Sequence, residues 1–154
     1  MDKNEFASRA EQIKKRLYRI AFLYLSSEDM ALEAVNEAIY RGFVSLSKLR
    51  QPDFLETWLT RILINECKKE LRRRKREQPL ESVAENTEDI LDTLPLKDAI
   101  NRLPQELKEV IILRYFTGFT LSETARSLEI PQGTIVTRQR RALSLLKLEL
   151  SEEE

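Results

Sequence analysis

The sequence of 154 residues contains no histidine, a single cysteine, three glycines and five prolines, and its 26 lysines and arginines are balanced by 26 acids. Without histidine, and with Cys67 alone, the usual zinc sites and Ser–His or Cys–His catalytic sets lack their parts, so no metal, cofactor or catalytic residue is assigned. One thiol permits no internal disulfide, and nothing points to an oxidising compartment. Scarce glycine and proline leave little turn chemistry for hairpins or sandwiches. No run approaches the ~18 uninterrupted apolar residues of a membrane span, and the charged residues 1–5 lack a signal-peptide core, so a cytoplasmic protein is expected. Zero net charge, taken whole, argues against a nucleic-acid partner. What is present is 42% hydrophobic residues, enough for a core, in a length that suits one ordinary domain or two small ones.

Resolved by segment, the neutrality disappears. Residues 61–76 carry eight basic side chains (Arg61, Lys68, Lys69, Arg72, Arg73, Arg74, Lys75, Arg76) against Glu66 and Glu70, net +6. Residues 77–98 reverse this to −6, residues 133–148 hold four bases and no acid, and the last six residues return −4. Two separated basic blocks therefore reopen nucleic-acid binding.

Apolar residues recur at helical spacing almost throughout. The first pattern is Phe6, Ala10, Ile13, Leu17, Ile20/Ala21 and Tyr24. Ser26 with Asp29 reads as a capping box opening a second helix, whose buried stripe is Ala31, Ala34/Val35, Ala38/Ile39 and Phe43. After a break at 49–52, Asp53 with Glu56 reads as the start of a third helix. Residues 77–95 are acidic and aperiodic and read as a linker, with one weak turn of helix near 89–94. Beyond it, four short helices are expected over 97–102, 104–116, 121–128 and from Pro131 onward, with a turn at Gly118 and a Thr120–Glu123 capping box. The expected fold is all-α: a three-helix domain over 1–76 and a four-helix domain over 96–151, joined by the acidic linker.

Within 121–141, Ala125 sits where two helices touch closely, Glu129-Ile130-Pro131 makes the turn, and Ile135 packs the second helix back. That is helix-turn-helix spacing, with the second helix suited to a major groove. Projected at 100° per residue, Ile135, Ala142, Leu143, Leu146 and Leu150 share an arc of about 100°. Gly133, Val136, Thr137, Arg140, Ser144 and Lys147 lie opposite, with Thr134, Arg138 and Arg141 on the flanks. On residues 53–76 the same projection gathers Arg61, Asn65, Lys68, Lys69, Arg72 and Arg76 into one stripe, with Trp58 at its end, suited to a phosphate backbone. Leu55, Leu59, Ile62, Leu63, Cys67 and Leu71 cover the other side, Cys67 as packing.

The order of these parts resembles the extracytoplasmic-function group of bacterial RNA polymerase sigma factors, which consist of regions 2 and 4 and little else. Residues 31–43 resemble the family's Asp-Leu-Val-Gln-Glu stretch, residues 54–65 with Leu71-Arg72-Arg73 its Trp-Leu-x-Arg-Ile-x-x-Asn…Arg-Arg element, and residues 103–116 with 130–142 its region 4. The resemblance implies that Glu33, Asn36, Glu37 and Arg41 meet the clamp helices of the polymerase β′ subunit. It implies that the basic stripe reads the −10 element, that the loop bearing Lys48, Leu49 and Arg50 captures a flipped base, and that Gly133, Thr134, Val136, Thr137, Arg138, Arg140, Arg141 and Ser144 read the −35 element. It also implies an anti-sigma partner, often membrane-bound. Seven positions depart from the family pattern: Met30 stands where an early Asp is common, Glu33 and Asn36 in place of Asp and Gln, Lys69 in place of Asp, Glu129 in place of the turn glycine, Val136 in place of a basic residue, and Gln139 in place of an apolar one.

The expected function is that of an alternative sigma factor, with core RNA polymerase and promoter DNA as partners and no small-molecule substrate. Flipping a base costs a few kcal/mol, so specific binding is expected from the holoenzyme and only weak, salt-sensitive DNA binding from the free chain. The alternatives are a stand-alone helix-turn-helix regulator, for which no dimerising heptad is found, a DNA-modifying enzyme, which would need clustered carboxylates or histidine, and a pure interaction protein.

Overall fold

The computed structural model describes residues 1–77 and 94–152, and every described element is helical. Two compact units divide the chain, one within Met1–Thr87 and one within Glu88–Glu154. The acidic stretch and the expected turn of helix near 89–94 lie almost entirely outside the described residues.

The first unit packs α1 (Lys3–Leu25), α2 (Glu28–Val44) and α3 (Leu55–Glu77) against one another. Asp2 caps α1 by accepting from the Glu5 amide at 2.8 Å. The predicted stripe of α1 is buried throughout, joined by Phe22 and Leu25. The link to α2 is only two residues long, which corrects the predicted cap. Ser26 ends α1 in the left-handed region (φ 55°) with its amide on the Phe22 carbonyl, so Ser27 caps α2 and accepts from the Met30 amide at 3.3 Å. The stripe of α2 also shifts: Gly42 is buried while Phe43 lies at the rim, 36% exposed, its ring 6.2 Å from that of Phe6. A Cβ on Gly42 would stand 2.8 Å from Leu59 Cδ1 and 3.1 Å from Phe6 Cζ, so the absent side chain is what lets three helices meet there.

Single 3₁₀ turns at Leu46–Lys48 and Pro52–Phe54 lead into α3. Asp53 therefore lies inside a 3₁₀ turn rather than capping the helix, and the Glu56 carboxylate is used elsewhere. It accepts two bonds from the Arg16 guanidinium, both 2.7 Å, tying α1 to α3. That hydrogen bond, with the charge behind it, raises the Arg16 pKa above its ordinary value. On α3, Leu55, Leu59, Leu63 and Cys67 are buried as predicted, together with Thr60 and Ile64, whereas Ile62 and Leu71 are only half-buried. Arg74 donates to the Leu25 carbonyl at 3.1 and 3.2 Å, supplying the cation that the last turn of α1 lacks.

The second unit comprises α4 (Leu94–Arg102), α5 (Gln105–Ile111), α6 (Leu121–Leu128) and α7 (Gln132–Glu152). Pro104 stands just before α5, and the helix loosens into a π turn over Ile112–Phe116 before Gly118 (φ 79°) reverses the chain. One core joins Ala99, Ile100, Leu103, Leu107, Ile111, Ala142 and Leu146; another joins Val110, Ala125 and Ile135. Leu143, placed by projection in the buried stripe, is 42% exposed instead. Among the described residues of α7, α4 and α5 cover the line through Ala142 and Leu146, and the side chain of Leu150 lies outside the described residues.

Candidate nucleic-acid interface

The helix-turn-helix is built by caps. Thr120 accepts from the Glu123 amide at 3.0 Å, and the Glu123 carboxylate accepts from the Thr120 amide at 2.9 Å, the reciprocal box expected at the start of α6. Glu129 ends α6 in the left-handed region, φ 61° and ψ 43°, where the resemblance led us to expect glycine. The Thr134 amide then bonds the Pro131 carbonyl at 3.0 Å and α7 begins.

On α7, Gly133, Thr137, Arg140, Arg141 and Ser144 are exposed, while Thr134, Val136 and Arg138 are half-buried. The Thr137 hydroxyl donates to the Gly133 carbonyl at 3.1 Å. A Cβ on Gly133 would meet nothing within 4 Å, so no neighbour within the unit requires glycine there. Sequence reasoning missed Arg114. Its Nε donates to Gln139 Oε1 at 2.8 Å and its Nη1 to the Phe119 carbonyl at 2.7 Å, bracing α7 against the turn before α6. The polar Gln139, in place of the family's apolar residue, thus has a partner inside the unit.

The basic helix presents Asn65, Lys69 and Arg72 to solvent, with Arg61 and Lys68 half-buried; the side chain of Arg76 lies outside the described residues. Several cations of the block are engaged within the protein: Arg73 with Glu70, Arg74 with the end of α1, and Lys69 with Glu66 at 3.2 Å. In the neighbouring loop Lys48 and Arg50 are exposed and Leu49 half-buried. On α2, Glu33, Asn36, Glu37 and Arg41 are all exposed.

The packing of α2 on α3 brings two of these sets together, which projection of single helices does not reveal. Arg41 Nε lies 3.0 Å from Glu37 and 2.9 Å from Glu66. Beside it an open cleft of about 500 Å³ is lined by Tyr40, Arg41, Asn65, Glu66 and Lys69 among others. A second, of about 400 Å³, is lined by Glu33, Asn36, Glu37, Glu66 and Glu70 among others. Among the described residues no group of three potential metal ligands occurs, and no helix is long and apolar enough to cross a membrane.

Comparison with known proteins agrees with this architecture. Residues 10–77 match the model for sigma-70 region 2, and residues 99–148 the model for sigma-70 region 4. RNA polymerase sigma factor SigV of Bacillus subtilis is 32% identical over 146 residues, covering 92% of this chain and 88% of that one. ECF RNA polymerase sigma factor SigM of Mycobacterium tuberculosis is 29% identical over 137 residues, 86% of this chain and 70% of that one. The solved sigma factor RpoE of Bartonella quintana, in complex with the anti-sigma factor NepR, superposes with a TM-score of 0.81 at 27% identity, covering 97% of this chain and 99% of that one. With region 2 followed by region 4 and both built around these helices, the chain belongs to the extracytoplasmic-function group of sigma-70 factors: an alternative sigma factor that binds core RNA polymerase and directs promoter-specific transcription initiation.

Proposed function

We propose that the work of this sigma factor divides among four residue sets. Gly133, Thr134, Val136, Thr137, Arg138, Arg140, Arg141 and Ser144 read the −35 element. Arg61, Asn65, Lys68, Lys69, Arg72 and Arg76 grip the −10 element, the loop with Lys48, Leu49 and Arg50 captures a flipped base, and Glu33, Asn36, Glu37 and Arg41 meet the β′ clamp. The functional domains run over 1–76 and 96–151, with 77–95 as the tether. The protein carries out no covalent chemistry, acts in the cytoplasm, and is held in reserve by an anti-sigma partner; RpoE in its complex with NepR supports that last reading.

The observation that carries the assignment is the two-sidedness of α7. Ile135, Ala142 and Leu146 are buried on one side, while Arg140, Arg141 and Ser144 are exposed in a run from 133 to 148 that contains no acid. Arginine forks on such a face suit guanine edges and phosphates. Both reversals, Arg140→Glu and Arg141→Glu, are expected to impair promoter-dependent transcription in vitro while binding to core polymerase survives. Unchanged initiation in both variants would refute the assignment. A stand-alone regulator would leave region 2 without a task, and no observation favours it.

A further inference from the structure

Between the polymerase face and the −10 stripe lies a side chain that neither assignment uses. Glu66 is one of two acids among residues 61–76, and its side chain is only 12% exposed. The contacts around it are shared at single atoms. Glu66 Oε2 lies 2.9 Å from Arg41 Nε and 3.2 Å from Lys69 Nζ, and the same Arg41 Nε lies 3.0 Å from Glu37 Oε2. Charge alternates along Glu37, Arg41, Glu66 and Lys69. Glu66 and Glu37 also line both clefts, the one bearing Glu33 and Asn36 and the one bearing Asn65 and Lys69.

Sharing makes these contacts competitive. Glu37 and Glu66 both draw on the one guanidinium of Arg41, so whatever takes Glu37 away leaves that cation to Glu66. A carboxylate this withdrawn from water is held by its cations, and a closer Arg41 weakens its need for Lys69. Lys69 is half-exposed and free to swing outward once released.

We propose that Glu66 is a positioning residue that couples polymerase docking on α2 to DNA contact on α3. In the free chain Glu66 holds the Lys69 ammonium. A cationic group of the polymerase that engages Glu37 hands Arg41 to Glu66 and releases Lys69 to a phosphate of the −10 region. Linkage makes the effect reciprocal: DNA that takes Lys69 frees Glu66 for Arg41 and Glu37 for the polymerase. The inference rests on the assignment of Glu37 to the polymerase and Lys69 to DNA.

The test is the affinity of the full chain for core polymerase, measured with and without a promoter fragment recovered by transcribing a randomised promoter library with the holoenzyme. In the parent chain the fragment is expected to tighten core binding. Glu66→Gln, whose amide cannot hold both cations, is expected to shrink that ratio by roughly two- to five-fold, the range set by partly exposed ion pairs. Lys69→Gln, which leaves the withdrawn carboxylate in place, is expected to shrink it equally, and the double variant no further. Glu70→Gln removes the same charge from the same helix and is expected to leave the ratio unchanged. An unchanged ratio in Glu66→Gln and Lys69→Gln, or an equal fall in Glu70→Gln, overturns the coupling while leaving the sigma-factor reading intact. A parent chain that binds neither core nor promoter overturns both.

Discussion

At the scale of single residues, two positions in the first unit are decided by space and by one unmet bond. Gly42 lies where a methyl group would press on Leu59, itself fully buried and unable to give way. Alanine gains about 1 kcal/mol of helix propensity there, but overpacking costs about 1–3 kcal/mol. Gly42→Ala is therefore expected to lower stability by about 1 kcal/mol, read as an earlier denaturant midpoint at unchanged slope. Thr60 presents the opposite case, since its buried hydroxyl finds no hydrogen-bond partner among the described residues. Thr60→Val keeps the shape and removes the stranded group, so a gain of about 1 kcal/mol in the same titration is expected. Neither position was legible in the sequence. Helical periodicity says which side of a helix faces inward, but not how near the next helix lies or whether a carbonyl is within reach.

At the scale of elements, the helices were largely legible and their ends less so. The Thr120–Glu123 box is legible in the sequence because both of its bonds are local to four residues. The other two boxes failed for tertiary reasons: Ser26 was needed to end α1, and Glu56 was taken by Arg16, which is remote in sequence. The brace across the helix-turn-helix is of the same kind. Gln139→Leu restores the family's apolar type but strips Arg114 of its Nε acceptor in a partly buried setting. A loss of about 1–3 kcal/mol is expected, seen as a lower melting temperature, with −35-dependent transcription declining alongside it as α7 loses its anchor to the turn.

At the scale of the molecule, net neutrality conceals basic faces whose cations are not equally available. Arg72 is exposed, whereas Arg74 is bound to the end of α1. Each phosphate neutralised by a cation steepens the fall of log K with log salt by about 0.9. Arg72→Ala is thus expected to reduce the salt slope of free-chain DNA binding by about 1. Arg74→Ala should leave the slope nearly unchanged and instead destabilise the first unit. Equal slopes for Arg72→Ala and the parent chain would remove Arg72 from the proposed DNA face. Composition alone cannot rank the two arginines, since each adds the same charge to the same helix.

The sequence by itself determined the helical class, the order of the two units, the sides of α1 and α7 that turn inward at Phe6–Tyr24 and at Ile135, Ala142 and Leu146, and the family. All of these rest on local periodicity and on motifs that are contiguous in the chain. Tertiary structure alone decided which charges are available and which are engaged: Arg74 on the end of α1, Arg16 on Glu56, Arg114 on Gln139, and the row from Glu37 to Lys69 that joins α2 to α3. The physical reason is range. An apolar stripe is written at steps of three and four residues, but an ion pair forms wherever folding brings two side chains within about 3 Å, however many residues of chain lie between them.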